Sequence, residues 1–143
     1  MLARSLKKHV KQNGEKQFVE KGGQYWFMSL CNIDTSNIRS VKNLHAGVFP
    51  VQYSEAYFQK VQNNDLCAAL VVDGECLGVV CCKFEIVGCS KFLYIMSLAV
   101  HPLYRCRGIG SRLLDFAINK AESHSVSTIR LHVQVGGIHS SVS

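Results

Sequence analysis

Residues 94–114 of the chain read YIMSLAVHPLYRCRGIGSRLL. The first seven are nearly all apolar, which is typical of a central strand that is covered on both faces. A turn that contains Pro102 follows, and apolar residues then recur at helical spacing from about residue 109 to residue 122. The segment therefore predicts a strand, a tight turn and a helix, with Gly108 and Gly110 at the point where the helix begins.

The flanking segments predict a mixed α/β domain. Residues 128–135 alternate between apolar and polar and indicate a strand, which a right-handed crossover places parallel to the strand at 91–100. Upstream, Asp73-Gly74 separates the apolar runs 68–72 and 76–84, a strong signal for an antiparallel hairpin.

Two short helices and one more strand are predicted nearer the amino terminus. A helix begins after the capping residues 34–36, carries apolar residues to Val48 and ends at Phe49-Pro50, because the residue before proline avoids helical geometry. A second helix covers 54–61 with Ser54 as its cap. Residues 25–31 predict a strand.

Composition indicates one globular domain and no membrane span. The chain has 143 residues, 48% of them apolar and 18% charged, with a net charge of +6. Most of this charge lies in residues 1–27, which we interpret as a basic, disordered extension. The rest carries no stripe of basic and aromatic residues for binding DNA. The predicted organisation is thus an extension (1–27), a globular domain (28–135) and an irregular tail (136–143).

The seven cysteines indicate a reducing compartment. Their number is odd, several lie in apolar runs, and no Cys-x-x-Cys or Cys/His cluster has the spacing of metal ligands. We therefore expect no metal and a cytoplasmic location, with the nucleus as a second one.

The glycines at 108 and 110 predict an anion site. The first amides of a helix have no partner within it, and the helix dipole favours negative charge there, so a diphosphate fits. Arg105, Arg107 and Ser111 can add hydrogen bonds. The motif alone leaves open a glycine-rich helix start that binds nothing.

Taken with its context, the segment resembles the acetyl-CoA-binding core of the GCN5-related N-acetyltransferase (GNAT) superfamily. Over residues 29–134 the chain is more specifically similar to NatE-type (San) catalytic subunits of protein N-terminal acetyltransferases, and the motifs that carry this likeness are FPVQY (49–53), VCC (80–82), LYIM (93–96) and LHVQ (131–134). The resemblance implies a GNAT-like mixed sheet and transfer of acetyl from acetyl-CoA to nascent amino termini, often Met before a hydrophobic residue. It also implies NatA subunits and the ribosome as partners.

The resemblance implies roles for particular residues. Tyr94 and His132 match the catalytic pair that removes a proton from the substrate ammonium through ordered water. Backbone amides near Leu98 and Val100, together with the helix start at Ile109, match the acetyl-CoA site. The pocket for the first peptide residue matches Phe49, Pro50, Val51, Tyr53 and Met96. From the residues alone, core packing is the favoured interpretation of Tyr94, and an ordinary surface or satisfied histidine is the favoured interpretation of His132. Met96 is also explained by core packing and Phe49-Pro50 by a helix stop. His9, His45, His101, His124 and His139 are unassigned.

The chain departs from the family after Gln134. The family's next helix, strand and hairpin have no counterparts here, so we expect a truncated domain of low stability and activity, with an exposed edge on the strand at 128–135. Two alternatives stay open: acetylation of histone lysines or small amines, and a non-catalytic module that binds acetyl-CoA or a scaffold subunit.

Overall fold

The computed structural model describes residues 17–135 and 138–142. Its strands are β1 (Phe18–Lys21), β2 (Gln24–Phe27), β3 (Leu30–Cys31), β4 (Cys67–Val72), β5 (Glu75–Val87), β6 (Ser90–Val100), β7 (Ile129–Val135) and β8 (Ile138–Val142). Its helices are α1 (Ile38–Val48), α2 (Glu55–Val61) and α3 (Ile109–Ser123), and a short 3₁₀ helix covers Pro102–Tyr104. No helix in the described part of the chain is long and apolar enough to cross a membrane.

Strands β3 to β8 form one six-stranded sheet in chain order, and β1 and β2 form a separate two-stranded sheet. Neighbours in the larger sheet are antiparallel except β6 and β7, which are parallel and are joined through α3. The predicted α/β class is therefore confirmed, with its antiparallel hairpin, central strand, crossover helix and parallel strand.

Helices cover both faces of the sheet. Because side chains alternate along a strand, β5 contributes to two cores. Val80 and Cys82 belong to the core formed with α3, whereas Val79 and Cys81 belong to the core formed with α1 and α2. All four residues are fully buried. This double burial explains the apolar runs in the sequence.

Helix α3 lies very close to β5 at Gly78. A Cβ atom added there would be 2.7 Å from Cγ2 of Ile109 and 3.1 Å from Cδ1 of Leu113. The absence of a side chain at Gly78 therefore allows the first turns of α3 to rest on the sheet, which sets the position of the glycine loop before the helix.

The predicted helix boundaries are partly confirmed. Phe49 is extended (ψ 139°) and ends α1, and the Ser54 hydroxyl accepts a hydrogen bond from the Tyr57 amide (3.1 Å) as the cap of α2. The capping prediction for residues 34–36 is wrong: α1 follows Asn37, with no side-chain cap. The Asp34 carboxylate accepts from the Ser36 amide instead (2.8 Å), because a short acidic side chain also bonds its local backbone.

Residues 18–27 are not a disordered extension. They form the β1–β2 hairpin through Gly22 and Gly23, both at positive φ (63° and 78°), which suits a tight two-residue turn. Val19 is 1% exposed and belongs to the α3 core. Residues 1–16 of the predicted extension lie outside the described residues.

The single strand predicted at 25–31 is also wrong. It divides between β2 and β3, which belong to different sheets, and the buried Met28 lies at the break.

The irregular tail predicted at 136–143 is corrected for residues 138–142, while 136, 137 and 143 lie outside the described residues. Strand β8 pairs antiparallel with β7 from Leu131↔Val142 to Val135↔Ile138. The exposed edge expected for β7 is therefore wrong as well, because β8 supplies hydrogen-bond partners to backbone groups that would otherwise lie open.

Candidate functional site

The parallel strands β6 and β7 stay paired over only three residues. The register runs from Leu93↔Ile129 through Tyr94↔Arg130 to Ile95↔Leu131, and it stops there although β6 continues to Val100. Both strands extend past the last pair, so a gap opens between them. The gap lies at the carboxyl end of the parallel pair, where ligands commonly bind in α/β sheets.

A β-bulge lies at the start of this gap. Cys81 is opposite Ser97 and Cys82 is opposite Ile95, so Met96 is the extra residue on β6. A bulge bends its strand and re-aims the neighbouring side chains. Here it bends β6 at the point where the strand leaves β7.

Tyr94 and His132 meet across the two strands. The Tyr94 Oη and His132 Nδ1 atoms are 2.8 Å apart, and the rings meet edge to face with centroids 5.4 Å apart. His132 is exposed and Tyr94 is half-buried. The pair is therefore open to solvent on one side and can exchange a proton with a bound group or a water molecule.

A cleft of about 650 Å³ surrounds this pair. It is lined by Val48, Phe49, Pro50, Val51, Tyr53, Tyr94, Ile95, Met96, Ser97, Leu98, Leu131 and His132. All five residues predicted for the peptide pocket thus lie in one cavity with Tyr94 and His132. Burial raises the pKa of the Tyr53 phenol, so this hydroxyl stays protonated at neutral pH.

The backbone of β6 faces the gap at Leu98 and Val100. The His101 amide donates to the Leu77 carbonyl on β5 (2.8 Å). Because successive residues of an antiparallel ladder direct their amides to opposite sides, those of Leu98 and Val100 point away from β5. The Val100 carbonyl agrees with this direction, since it accepts from Arg105 Nε (3.2 Å). Two amides therefore face the gap.

The glycine loop leads directly into α3. Gly108 is the N-cap in the left-handed region (φ 89°), the helix starts at Ile109, and its first turn holds no acidic residue and no side-chain cap. A Cβ added at Gly110 would come no closer than 3.9 Å to Val100. Cys106 also has positive φ (63°), a conformation that costs a non-glycine residue energy and often marks a functional loop.

The basic residues of the loop already have partners. Arg105 bonds the Val100 carbonyl, while Arg107 lies 5.4 Å from the Tyr104 ring centroid and 3.7 Å from the Glu20 carboxylate. Both arginines are exposed and Ser111 is half-buried. An anion at the helix start would find two cations near the free amides, which fits the diphosphate of coenzyme A.

One residue that lies beneath the cleft was not selected by the sequence analysis. His45, which was unassigned, is 2% exposed and hydrogen-bonds both the Val41 carbonyl and the Ser97 hydroxyl. A signal was present, because His45 lies four residues after Val41 and four before Phe49, on the apolar stripe of α1. Its partners on other elements could not be found from spacing.

Among the described residues, no group of three or more His, Cys, Asp or Glu side chains is placed to hold a metal ion.

Comparison with known proteins places these features in context. The model of the acetyltransferase (GNAT) family matches residues 38–140. N-alpha-acetyltransferase 50 of Danio rerio is 31% identical over 110 residues, which cover 76% of this chain and 66% of that protein. The probable N-acetyltransferase san of Drosophila melanogaster is also 31% identical over 110 residues, covering 76% of this chain and 60% of that protein. The chain therefore spans less than two thirds of either relative.

A solved structure agrees with the fold. Arabidopsis thaliana Naa50, in complex with the bisubstrate analogue CoA-Ac-MVNAL, superposes with a TM-score of 0.65 at 29% identity. The match covers 76% of this chain and 73% of that one.

Proposed function

The chain belongs to the acetyltransferase (GNAT) family, and from that premise we propose that it transfers the acetyl group of acetyl-CoA to the α-amino group of a protein's amino terminus. The observation that carries the proposal is the Tyr94–His132 hydrogen bond, which lies inside an apolar cleft where β6 and β7 part. Two findings support this choice of substrate: the similarity to N-alpha-acetyltransferase 50 and to the probable N-acetyltransferase san, and the bisubstrate analogue bound in the structure of Arabidopsis thaliana Naa50.

Acetyl-CoA supplies the activated acetyl group as a thioester. The amides of Ile109, Gly110 and Ser111 bind its diphosphate in the proposal, and Arg105 and Arg107 add charge. The amides of Leu98 and Val100, which face the gap, hold the pantetheine arm as an added strand would be held. These groups fix the thioester beside the cleft that contains Tyr94 and His132.

The amino group must lose a proton before it can attack. An α-amino group has a pKa of about 8, so much of it is protonated at neutral pH. Tyr94 and His132 share a hydrogen bond, so a proton taken by one ring can pass to the other or to a water molecule. Histidine is suited to this role because its ordinary pKa is near neutrality.

Phe49, Pro50, Val51, Tyr53 and Met96 form the proposed pocket for the first residue of the peptide. Their side chains are apolar or aromatic, which favours Met over a short polar first residue. The proposed substrates start with Met followed by a hydrophobic residue. The proposed partners are nascent chains, NatA subunits and the ribosome, and the proposed location is the cytoplasm, with the nucleus as a second one.

The test measures acetyl transfer by the purified full chain to three peptides of equal length. One starts with Met-Leu, one starts with Ser, and one has a blocked amino terminus and an internal lysine. We expect the Met-Leu peptide to give the highest kcat/KM. Faster transfer to lysine would support the histone-type alternative and overturn the proposal.

Titration calorimetry with acetyl-CoA completes the test. Binding without turnover on any peptide would overturn the proposal in favour of a non-catalytic module. Binding together with turnover on the Met-Leu peptide would support it.

A further inference from the structure

A buried chain of three polar side chains runs beneath the cleft. His45 Nδ1 is 2.9 Å from the Val41 carbonyl of α1, and His45 Nε2 is 2.9 Å from the Ser97 hydroxyl of β6. The Ser97 oxygen is in turn 2.6 Å from the Tyr57 hydroxyl of α2. His45 and Ser97 are 2% and 3% exposed. Tyr57 is half-buried, so the chain links three elements through groups that are mostly removed from solvent.

The hydrogen bonds are compatible with one direction along the chain. A carbonyl only accepts, so Nδ1 of His45 carries a proton, and in that neutral tautomer Nε2 accepts. Ser97 therefore donates its only hydroxyl proton to His45, and Tyr57 donates to Ser97. Burial raises the pKa of the Tyr57 phenol, which keeps this last donor protonated. Each of these polar atoms has a hydrogen-bond partner in this arrangement.

His45 also contacts the wall of the cleft from behind. Its ring centroid is 5.5 Å from that of Phe49 and 5.1 Å from that of Tyr53, and both of these rings line the cleft. Ser97 lines it as well. Because His45 belongs to α1 and bonds Ser97 of β6, it connects the α1 side of the cleft to the β6 side.

We propose that His45, held by Ser97 and Tyr57, is a positioning residue that sets the shape of the Phe49–Tyr53 wall and so selects the first side chain of the substrate peptide. This inference rests on the proposed function, because it concerns the same cleft. His45 touches no reacting atom in this proposal and acts through the two rings. An apolar residue would fill the space equally well, but it would leave the Ser97 hydroxyl without its acceptor.

A pair of substitutions separates the hydrogen bonds from the packing. His45→Phe keeps a ring against Phe49 and Tyr53 but removes both hydrogen bonds. His45→Gln loses the ring but offers an amide oxygen that can accept from Ser97. His124→Phe makes the same chemical change at an exposed histidine outside the cleft and serves as the matched control.

We expect His45→Phe to raise KM for the Met-Leu peptide about tenfold while kcat stays within about twofold, the pattern of an interaction lost equally from the bound and transition states. Its preference for Met-Leu over the Ser-starting peptide falls by a similar factor. In His45→Gln the KM returns most of the way to the wild-type value. The acetyl-CoA Kd is the same in all variants, and His124→Phe has the wild-type KM and peptide preference. Binding of a labelled Met-Leu peptide in the presence of CoA weakens in parallel with the KM.

Wild-type KM and peptide preference in His45→Phe would overturn the inference, as would a joint loss of kcat, acetyl-CoA affinity and melting temperature. If His45→Phe does not fold, Tyr57→Phe gives the answer, because it removes one hydroxyl and keeps the ring; an unchanged KM there would also overturn it. If the wild type transfers acetyl to the Met-Leu peptide and these variants do not change the KM, this inference fails and the proposed function stands. A wild type that transfers acetyl to no peptide defeats the proposed function and this inference with it.

Discussion

At the scale of single residues, the main feature is the hydrogen bond between Tyr94 and His132. They are 38 positions apart in the chain, yet their polar atoms are 2.8 Å apart because β6 and β7 are parallel neighbours. Neither ring is in the fully buried core, although Tyr94 lies on an apolar strand. The structure therefore favours Tyr94 as a residue of the cleft over its interpretation as a core-packing residue.

Removal of one hydroxyl tests that role. Tyr94→Phe keeps the ring and its packing, so we expect the protein to fold normally and kcat to fall about 100-fold, the range for loss of a group that moves a proton. Steady-state kinetics with the Met-Leu peptide measures this, and Tyr25→Phe, at a 78% exposed site on the hairpin, is the control. Wild-type turnover in Tyr94→Phe would exclude the phenol from the reaction.

Gly108 offers a second test at this scale. Its φ of 89° is unfavourable for a residue with a Cβ atom, so Gly108→Ala costs about 1–2 kcal/mol of stability and displaces the first amides of α3. We expect the acetyl-CoA Kd to rise at least about tenfold, measured by calorimetry. Gly88→Ala, at φ 61° in the β5–β6 turn, carries a similar strain far from the loop. Equal Kd values in the two variants would contradict the proposed anion site.

At the scale of elements, the contact between α3 and β5 positions the loop. The helix dipole and the free amides of α3 can bind an anion at the gap between β6 and β7 only if the first turn of the helix lies beside that gap. Gly78 permits this, because any side chain there would meet Ile109 in the first turn of the helix. Gly78 on β5 is thus required for the proposed anion site at the start of α3.

Gly78→Ala tests this dependence. The added Cβ would lie 2.7 Å from Ile109 Cγ2, so the helix must shift, and overpacking of this kind costs about 1–3 kcal/mol. We expect a lower urea midpoint and weaker acetyl-CoA binding. Gly47→Ala is the matched control, because no atom lies within 4 Å of its added Cβ and alanine favours a helix by about 0.5–1 kcal/mol. A Gly78→Ala protein as stable as the Gly47→Ala protein would show that α3 can move without cost.

At the scale of the whole molecule, the two cores depend on sulfur atoms as small apolar groups. Cys67, Cys76, Cys81 and Cys82 are all buried, and all cysteines of the described structure are free. Burial raises the pKa of the Cys76 thiol to about 12 and that of Cys82 to about 12. Neither thiol can ionise without opening the core, which couples the stability of the entire domain to pH.

The expected result is a loss of stability in alkali. In the unfolded chain these thiols ionise near pH 8.5, so above that pH the unfolded state binds fewer protons than the folded state. Their contribution is complete below about pH 8.5 and is lost as the pH rises toward 12. Two thiols lower the unfolding free energy by about 3 kcal/mol per pH unit in that range. Urea unfolding at pH 7, 9 and 10 measures the slope, and the double variant Cys76→Ala/Cys82→Ala should reduce it. Part of the slope remains, because the hydrogen bond with Cys81 and burial also raise the pKa of Cys67. An identical slope in that variant would show that the two thiols are not responsible.

The sequence predicted those features whose cause lies within a few neighbouring residues. The Asp73-Gly74 hairpin, the Ser54 cap and the start of α3 after Gly108 are of this kind, because a glycine's freedom or a hydroxyl's reach acts locally. The same local reasoning failed at residues 18–27. There the glycine turn was visible, but the burial of Val19 against another element was not.

The sequence by itself thus determined the class of the fold, the alternation of its strands and the glycine loop before α3, since periodicity and backbone freedom are written in adjacent residues. Only the tertiary structure decided that β6 and β7 part after Ile95, that β8 covers the edge of β7 and that His45 bonds Ser97 beneath the cleft. Each of these depends on groups from separate elements, whose approach is settled by the packing of the whole sheet and its helices rather than by any local preference.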